Sequence, residues 1–232
     1  MNLHRYQKDY DAVMSSKGAQ KFLYRKTYEY PGEVINKRHA SFLTHKKKEG
    51  SPIIDHEIEG WLRQEDAAKL YELAYFCEGD IVELGTSRGL SAFIMSQALS
   101  DKRSQSTIYT VDMRQDCRDA ATKRMRSRGV TNVVAECAEG AEWLRNWIYQ
   151  GKRFGFGFID HAHTYEPMLN ACRLLDKVMM PGAFVAFHDY ADRRNFDEPR
   201  DVFGVLPAIE DGLSKSFEFY GAFGCLAIYR FL

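Results

Sequence analysis

From residue 58 onward the hydrophobic positions follow two alternating periods. Trp61, Leu62, Ala67, Ala68, Leu70, Leu73 and Ala74 recur about every 3.6 residues and predict an amphipathic helix beginning close to Ile58. Ile81 to Leu84 is a short apolar run ending in Gly85, which predicts a strand. A helix is expected over 90–99 with Phe93, Ile94 and Ala98 inward. The β-branched run 107–112 predicts a second strand. An Arg-rich helix follows, stopped at Gly129. Strand and helix then alternate: a strand over 132–135, a helix over 138–149, a strand over 154–160 and a helix over 166–179 ended by Met180-Pro-Gly182. A strand over 183–188 and a helix over 205–213 complete the series. Two last runs, 217–220 and 225–231, read as a closing antiparallel pair.

Strands alternating with helices predict an α/β fold, a mostly parallel sheet covered by helices on both faces. The closing pair adds one reversed strand, giving seven strands. Residues 1–55 are polar, rich in Tyr, Lys and Arg, and show no period. They are expected to form a helical or irregular extension that contacts substrate or another copy of the chain, with the main domain over 56–232. Lys46-Lys47-Lys48 before Glu49-Gly50-Ser51-Pro52 reads as a solvated loop.

Composition narrows the partners. Lys plus Arg equals Asp plus Glu, 32 each, so the formal net charge is zero. A dedicated nucleic-acid binder usually carries a basic excess, so none is expected as a partner. Zero net charge leaves little self-repulsion, which makes a homo-oligomer electrostatically easy. The five cysteines, Cys77, Cys117, Cys137, Cys172 and Cys225, are scattered without metal spacing and read as reduced thiols of a cytoplasmic protein. No secretory leader is visible at the start, and no run approaches the ~20 apolar residues of a membrane span.

The turn after the first strand holds Glu83, Gly85, Thr86, Ser87, Arg88, Gly89 and Ser91. In an open α/β sheet, ligands bind beyond the carboxyl ends of the strands. Gly85 and Gly89 let the backbone approach a ligand, and the helix beginning near Leu90 offers free N–H groups. Asp112 ends the next strand, where a carboxylate can accept from both hydroxyls of a ribose. A nicotinamide site wants G-x-G-x-x-G, but Ser87 occupies the middle glycine position. Glu83, two residues before the first glycine, suits the cationic S-adenosylmethionine better. Glu139, after the third strand, either borders the adenine or is a helix N-terminal acid.

Two further strand ends carry unusual chemistry. One reads Asp160-His161-Ala-His163-Thr-Tyr165, the other His188-Asp189-Tyr190. Adjacent parallel strands deliver their ends to one edge, so Asp160 and Asp189 should face each other across the cleft. Two close carboxylates repel unless a proton or cation sits between them. Mg²⁺ is the natural solution, and neighbouring imidazoles admit Mn²⁺. The metal set read here is Asp160, Asp189, His188 and His161, with His163 as general base beside Asp160. The plainer readings are Asp160 as a helix N-cap, His161 and His188 satisfied by backbone, and Tyr165 and Tyr190 as packing.

Ile58-Glu-Gly-Trp-Leu62, Ile81 to Ser91, Ile159 to Glu166, Pro181-Gly182, His188-Asp-Tyr190 and Gly204-Val205 occur in an order that resembles the class I S-adenosylmethionine methyltransferases of the macrocin O-methyltransferase and cephalosporin-hydroxylase-like group. The resemblance covers roughly residues 55–230. It implies a Rossmann-like, doubly wound seven-stranded sheet and methyl transfer, often to a hydroxyl and often with Mg²⁺. It places Glu83, Gly85, Thr86, Ser87, Gly89, Ser91, Asp112, Glu139 and Asp160 about the cofactor. Asp160 and Asp189 fall on the metal-binding strand ends, with His163 as base. The acceptor it implies is a small polar hydroxyl compound, a sugar or glycosylated metabolite. Competing activities are a metal-free methyltransferase with a histidine base and a metal-dependent hydroxylase. This chain departs from the group at Asp160-His-Ala-His163, which leaves the register of the metal ligands open. Residues 191–203 form a charged insertion, either a lid over the acceptor or a solvated loop.

Overall fold

The structure, a computed structural model, describes residues 34–232. Seven strands among these residues form one sheet: β1 Ile81–Leu84, β2 Ile108–Asp112, β3 Val133–Cys137, β4 Phe154–Ile159, β5 Met179–Phe187, β6 Phe217–Phe223 and β7 Leu226–Phe231. Their order is β3-β2-β1-β4-β5-β7-β6. β1 to β5 run parallel, and β7 is antiparallel to both β5 and β6. This is the expected Rossmann-like sheet with its single reversed strand. The strand order reverses between β1 and β4, the switch point at which open α/β sheets hold their ligands.

The helices are α1 Val34–Leu43, α2 Gln64–Phe76, α3 Leu90–Lys102, α4 Gln115–Ser127, α5 Gly140–Tyr149, α6 Tyr165–Cys172, α7 Leu175–Val178, α8 Arg194–Asp197 and α9 Val205–Gly212. The central strands are buried on both faces, so their side chains feed two cores. Val82, Leu84, Ile159 and Phe187 pack with Trp143 and Leu144 of α5, Leu169 of α6 and Ile209 of α9. Ile81, Phe156, Phe158 and Ala186 pack on the other face with Leu70 and Tyr71 of α2 and Ile94 and Met95 of α3. Ile35, Phe42 and Ile54 join this second core, so residues 34–55 share their burial with the sheet. The part of the expected extension over 1–33 lies outside the described residues.

Two predicted helices differ from the observed ones. Residues 58–63 are not helical, and α2 starts only at Gln64. Ile53 and Arg63 form an isolated antiparallel bridge, and the Asp66 carboxylate accepts from the Arg63 N–H, fixing the helix start there. Trp61, expected inward, is 75% exposed. The helix predicted over 166–179 breaks into α6 and α7, because Met179 pairs with Phe154 as the first residue of β5. The next paired residues are Phe156 and Phe184, so Met180-Pro-Gly182 bulges out of the ladder. Pro181 therefore sits where its missing N–H costs no sheet hydrogen bond. Phe93 is only half-buried.

Candidate active site

The ends of β1, β4 and β5 are tied together by backbone. Asp160 N–H donates to Leu84 O at 2.8 Å, and His188 N–H to Ile159 O at 3.0 Å. These bonds put Gly85, Asp160 and His188 side by side on one rim. Gly85 has φ +105°, and a Cβ there would lie 2.1 Å from Asp160 O. Only glycine fits a turn pressed this tightly against the neighbouring strand. Gly89, φ +87°, precedes α3; its Cβ would meet Met125 and Ala121 of α4. Protein packing therefore demands both glycines, in addition to any approach by a ligand.

Around the turn, Thr86 and Thr110 share a hydroxyl hydrogen bond of 2.6 Å. The Asp112 carboxylate accepts from the N–H groups of Ser87 at 2.8 Å and Arg114 at 2.9 Å. Ser87 has a left-handed φ of +45°. Glu83 is fully buried. Its Oε1 accepts from the Ser91 hydroxyl, while its Oε2 is buried without a hydrogen-bond partner. Burial raises its carboxyl to about 7, against the opposing hydrogen bonds from Ser91 and then Thr110. Glu139 caps α5, accepting from the N–H groups of Ala141 and Glu142 at 3.0 and 2.8 Å. The reading of Glu139 as a helix-terminal acid is thus seen directly.

The acid–histidine cluster lies beside this turn. His163 Nε2 is 3.2 Å from Asp189 Oδ2 and 3.7 Å from Asp160 Oδ1. His188 Nδ1 is 3.3 Å from both Asp160 Oδ1 and Asp189 Oδ1. One donor atom each from Asp160, His163 and Asp189 lie within 4.8 Å of one another, a spacing compatible with a shared cation. Hydrogen bonding to Asp160, then to Asp189, raises His163 to about 9. Burial alone would lower the His188 imidazole, but the charges of Asp160 and Asp189 hold it well above its ordinary value. For Asp189, burial pushes upward and the His188 charge overrides it, keeping the carboxyl well below the usual range.

His161 does not join this group. Its ring packs against Gly140 at the start of α5, where a Cβ would lie 3.2 Å from His161 Cδ2. Burial lowers its pKa, as for a neutral ring. The ring turns from the rim toward α5, so His161, expected among the metal ligands, lies outside the group formed by Asp160, His163 and Asp189. Tyr165 donates to Asp211 at 2.9 Å, and Tyr190 is fully buried against Phe219 and Tyr229.

Further residues shape the rim beyond those singled out by the motifs. Asp66 of α2 is buried with Oδ2 3.7 Å from His188 Nε2. Phe203 stacks on His163, ring centroids 5.3 Å apart, and the Arg194 guanidinium lies 4.0 Å from the same phenyl ring. Asn195 donates to the carbonyls of Asp189, Tyr190 and Asp192 and accepts from Leu206 N–H. The segment 191–203 is therefore tied down over the cluster. An Asn three residues into a charged run was the one legible signal. Asp66, far away in sequence, gave none. A cavity of about 350 Å³ opens at the opposite edge of the sheet, between Phe76, Gly155 and Tyr220, and holds none of these residues.

A switch point flanked by a glycine turn, a buried glutamate and a carboxylate-ended β2 falls inside a stretch whose sequence resembles that of methyltransferases. Residues 82–190 match a protein-family model described as a methyltransferase domain. No curated protein sequence matches the chain. Among solved structures, it is similar to an O-methyltransferase from Bacillus cereus in complex with SAH (TM-score 0.60, 12% identity, 96% of each chain covered). It is also similar to the O-methyltransferase TomG from Streptomyces achromogenes, involved in tomaymycin synthesis and solved with SAM (TM-score 0.57, 18% identity, 71% of this chain and 78% of that one). A third is TrmN from Thermus thermophilus (TM-score 0.52, 16% identity), of which the match spans 48% against 72% of this chain. At these identities the likeness is one of fold. No helix among the described residues is long and apolar enough to cross a membrane.

Proposed function

We propose that the chain transfers a methyl group from S-adenosylmethionine to a hydroxyl of a small polar acceptor, a sugar or glycosylated metabolite, with a divalent cation, Mg²⁺ or Mn²⁺, at the acid rim. The observation that carries this reading is the meeting of Asp160, Asp189 and two imidazoles at the carboxyl end of adjacent strands, directly beside the Gly85 turn. The O-methyltransferases among the similar structures support the reaction class.

The residues present fit both groups. Glu83 Oε2, buried and unpartnered, suits the amino group of the cofactor, and Asp112 retains acceptor capacity for ribose hydroxyls beyond its two backbone bonds. Asp160, Asp189 and His188 Nδ1 would hold the cation, which when bound lowers the pKa of an acceptor hydroxyl. His163, at the half-exposed mouth of the cluster, takes the hydroxyl proton at Nε2. His163, held at about 9 by Asp160 and Asp189, would fall toward the range where it accepts a proton once those carboxylates were engaged with a cation. Phe203 and Arg194 screen one side of this imidazole from water. The turn fixes the donor and the rim fixes the acceptor oxygen, so most of the rate comes from orientation.

Incubation with labelled S-adenosylmethionine and a panel of sugars, phenols and small metabolites, with Mg²⁺ or with chelator, tests the reading. Labelled product that depends on Mg²⁺ is expected with a sugar hydroxyl. Equal turnover with chelator removes the cation and leaves a histidine base alone. Oxygen consumption without S-adenosylhomocysteine release would instead indicate a hydroxylase.

Glu83 gives a pH dependence. Its folded carboxyl near 7 lies above the ~4.3 of an unperturbed glutamate, so between these values the folded chain holds a proton that the unfolded chain has released. Stability from this group is present at low pH, falls as pH rises through that window, and is flat above it. Cofactor affinity runs the other way, since the ionised carboxylate attracts an ammonium. Calorimetry with S-adenosylhomocysteine should show tighter binding at pH 8 than at pH 6, by up to about tenfold in all, the rise in the ionised fraction of a carboxyl near 7 over that range. Glu83→Gln should bind more weakly and flatten the dependence; an unchanged slope in that variant would detach Glu83 from the cofactor.

A further inference from the structure

Asp66 is a carboxylate with no solvent exposure, placed by the first turn of α2, far from the glycine turn in sequence. An acid that merely caps a helix works at the surface and needs no burial. This one gathers three separate segments. Its Oδ2 accepts from Arg63 N–H at 2.9 Å, and its Oδ1 accepts from Cys225 N–H at 2.7 Å in the β6–β7 turn. The turn is moulded to it: at Gly224, φ +60°, a Cβ would lie 2.2 Å from Asp66 Oδ1. The third contact is His188, whose Nε2 stands 3.7 Å from Asp66 Oδ2.

His188 is 5% exposed and lies between two acidic groups on opposite sides of its ring. Nε2 faces Asp66, and Nδ1 faces Asp160 and Asp189 at 3.3 Å each. Neither ring nitrogen has a hydrogen bond of good geometry to another side chain, so position, more than a single strong bond, sets the ring. Histidines that ligate metals generally present their other N–H to a carboxylate, which fixes both ring orientation and tautomer. The cluster Asp66, His188 and Cys225 also brings three donor atoms within 4.8 Å of one another. It is ill suited to an ion of its own. Both Asp66 oxygens already accept backbone N–H groups, and burial keeps the Cys225 thiol protonated, up to about 12.

We propose that Asp66 is a positioning residue that holds the His188 ring with a proton on Nε2, so that Nδ1, aimed between Asp160 and Asp189, would exchange its proton, released to solvent, for a cation at the acid rim. The inference rests on the metal-assisted reading above and assigns it a residue from outside the matched segment 82–190. It also gives the closing hairpin a part in the site, since Gly224 and Cys225 grip the same carboxylate.

Asp66→Asn tests it, because asparagine keeps the shape and can still accept from Cys225 N–H while losing the charge. Mn²⁺ binding, followed by the electron paramagnetic resonance of free ion, should weaken about 10–100-fold. Affinity for S-adenosylhomocysteine should stay at the wild-type value, and kcat should fall with KM for S-adenosylmethionine unchanged. Wild-type Mn²⁺ affinity in a folded Asp66→Asn protein overturns the inference and leaves the metal reading standing. Absence of Mn²⁺ binding in the unaltered protein overturns the metal reading and the inference with it. Should the variant not fold, imidazole ¹⁵N shifts of the unaltered protein decide: on adding Mg²⁺, His188 Nδ1 should shift while Nε2 stays protonated. An Nδ1 signal indifferent to Mg²⁺ refutes the proposal.

Discussion

Replacing Asp189 by asparagine is expected to lower kcat on the order of 10²–10³-fold while S-adenosylhomocysteine affinity stays within about twofold. Asparagine is the right probe because Asp189 has φ +57°, a left-handed conformation that Asn tolerates and alanine does not. The fold effect should therefore be small and the chemical effect isolated. In the wild type, Asp189 faces both imidazoles, at 3.2 Å from His163 and 3.3 Å from His188. Removing its charge takes an oxygen ligand of full charge from the proposed cation and one of the three carboxylates that face a buried imidazole. Loss of several kcal/mol of transition-state stabilisation corresponds to the stated fall in rate, at about 1.4 kcal/mol per tenfold. The measurement is kcat against Mg²⁺ concentration, with calorimetry for the cofactor. Wild-type kcat and wild-type Mg²⁺ dependence in Asp189→Asn would show that the rim serves structure alone. Asp160→Asn should share the loss of rate. It is the less clean probe, because Asp160 abuts the Gly85 turn and its charge is felt at Glu83.

What could be read from the sequence divides along a physical line. Strands and helices set by local period were visible: Ile81–Leu84, the β-branched β2 and the helix after Gly89 all lie where the pattern puts them. The meeting of Asp160 and Asp189 was also legible, because parallel neighbours must deliver their ends to one edge. Features decided by long-range contact were not. Nothing local tells that Met179 pairs with Phe154 and ends a helix that its own apolar spacing would continue. Nor does an acid three residues after Arg63 announce that it is buried beneath His188. His161 and His188 look alike in sequence, each next to an acid at a strand end. They part because β5 places His188 between the acids, whereas the chain leaving β4 turns the His161 ring onto Gly140. Side-chain direction at the exit of a strand depends on the loop that follows, and the loop here is tied by Gly204 N–H to His163 O and by Tyr165 N–H to Arg200 O.

Gly85→Ala is expected to cost about 2–6 kcal/mol of stability, the sum of backbone strain at φ +105° and overpacking. The new Cβ would stand 2.1 Å from Asp160 O, 2.5 Å from Asp160 C and 2.9 Å from His161 N, all backbone atoms that no rotamer change can move aside. Either β1 and β4 separate at the rim, or the turn rebuilds. For a chain of this size each kcal/mol is worth about 2–4 °C, so the melting temperature should fall by roughly 4–24 °C. Gly129→Ala is the control. Its φ is +67° with nothing within 4 Å, so only about 1–2 kcal/mol of conformational strain applies. The comparison separates two reasons for a glycine in a nucleoside turn. If the residue exists only to let a ligand approach, Gly85→Ala should melt like Gly129→Ala and lose cofactor affinity alone. If it exists because β4 presses on the turn, the variant should melt far lower and also lose Mn²⁺ affinity, since the displaced backbone is that of Asp160. Melting equal to the control would mean that the close contact between the β1 turn and the end of β4 is not part of the folded protein, and the shared rim would lose its physical basis.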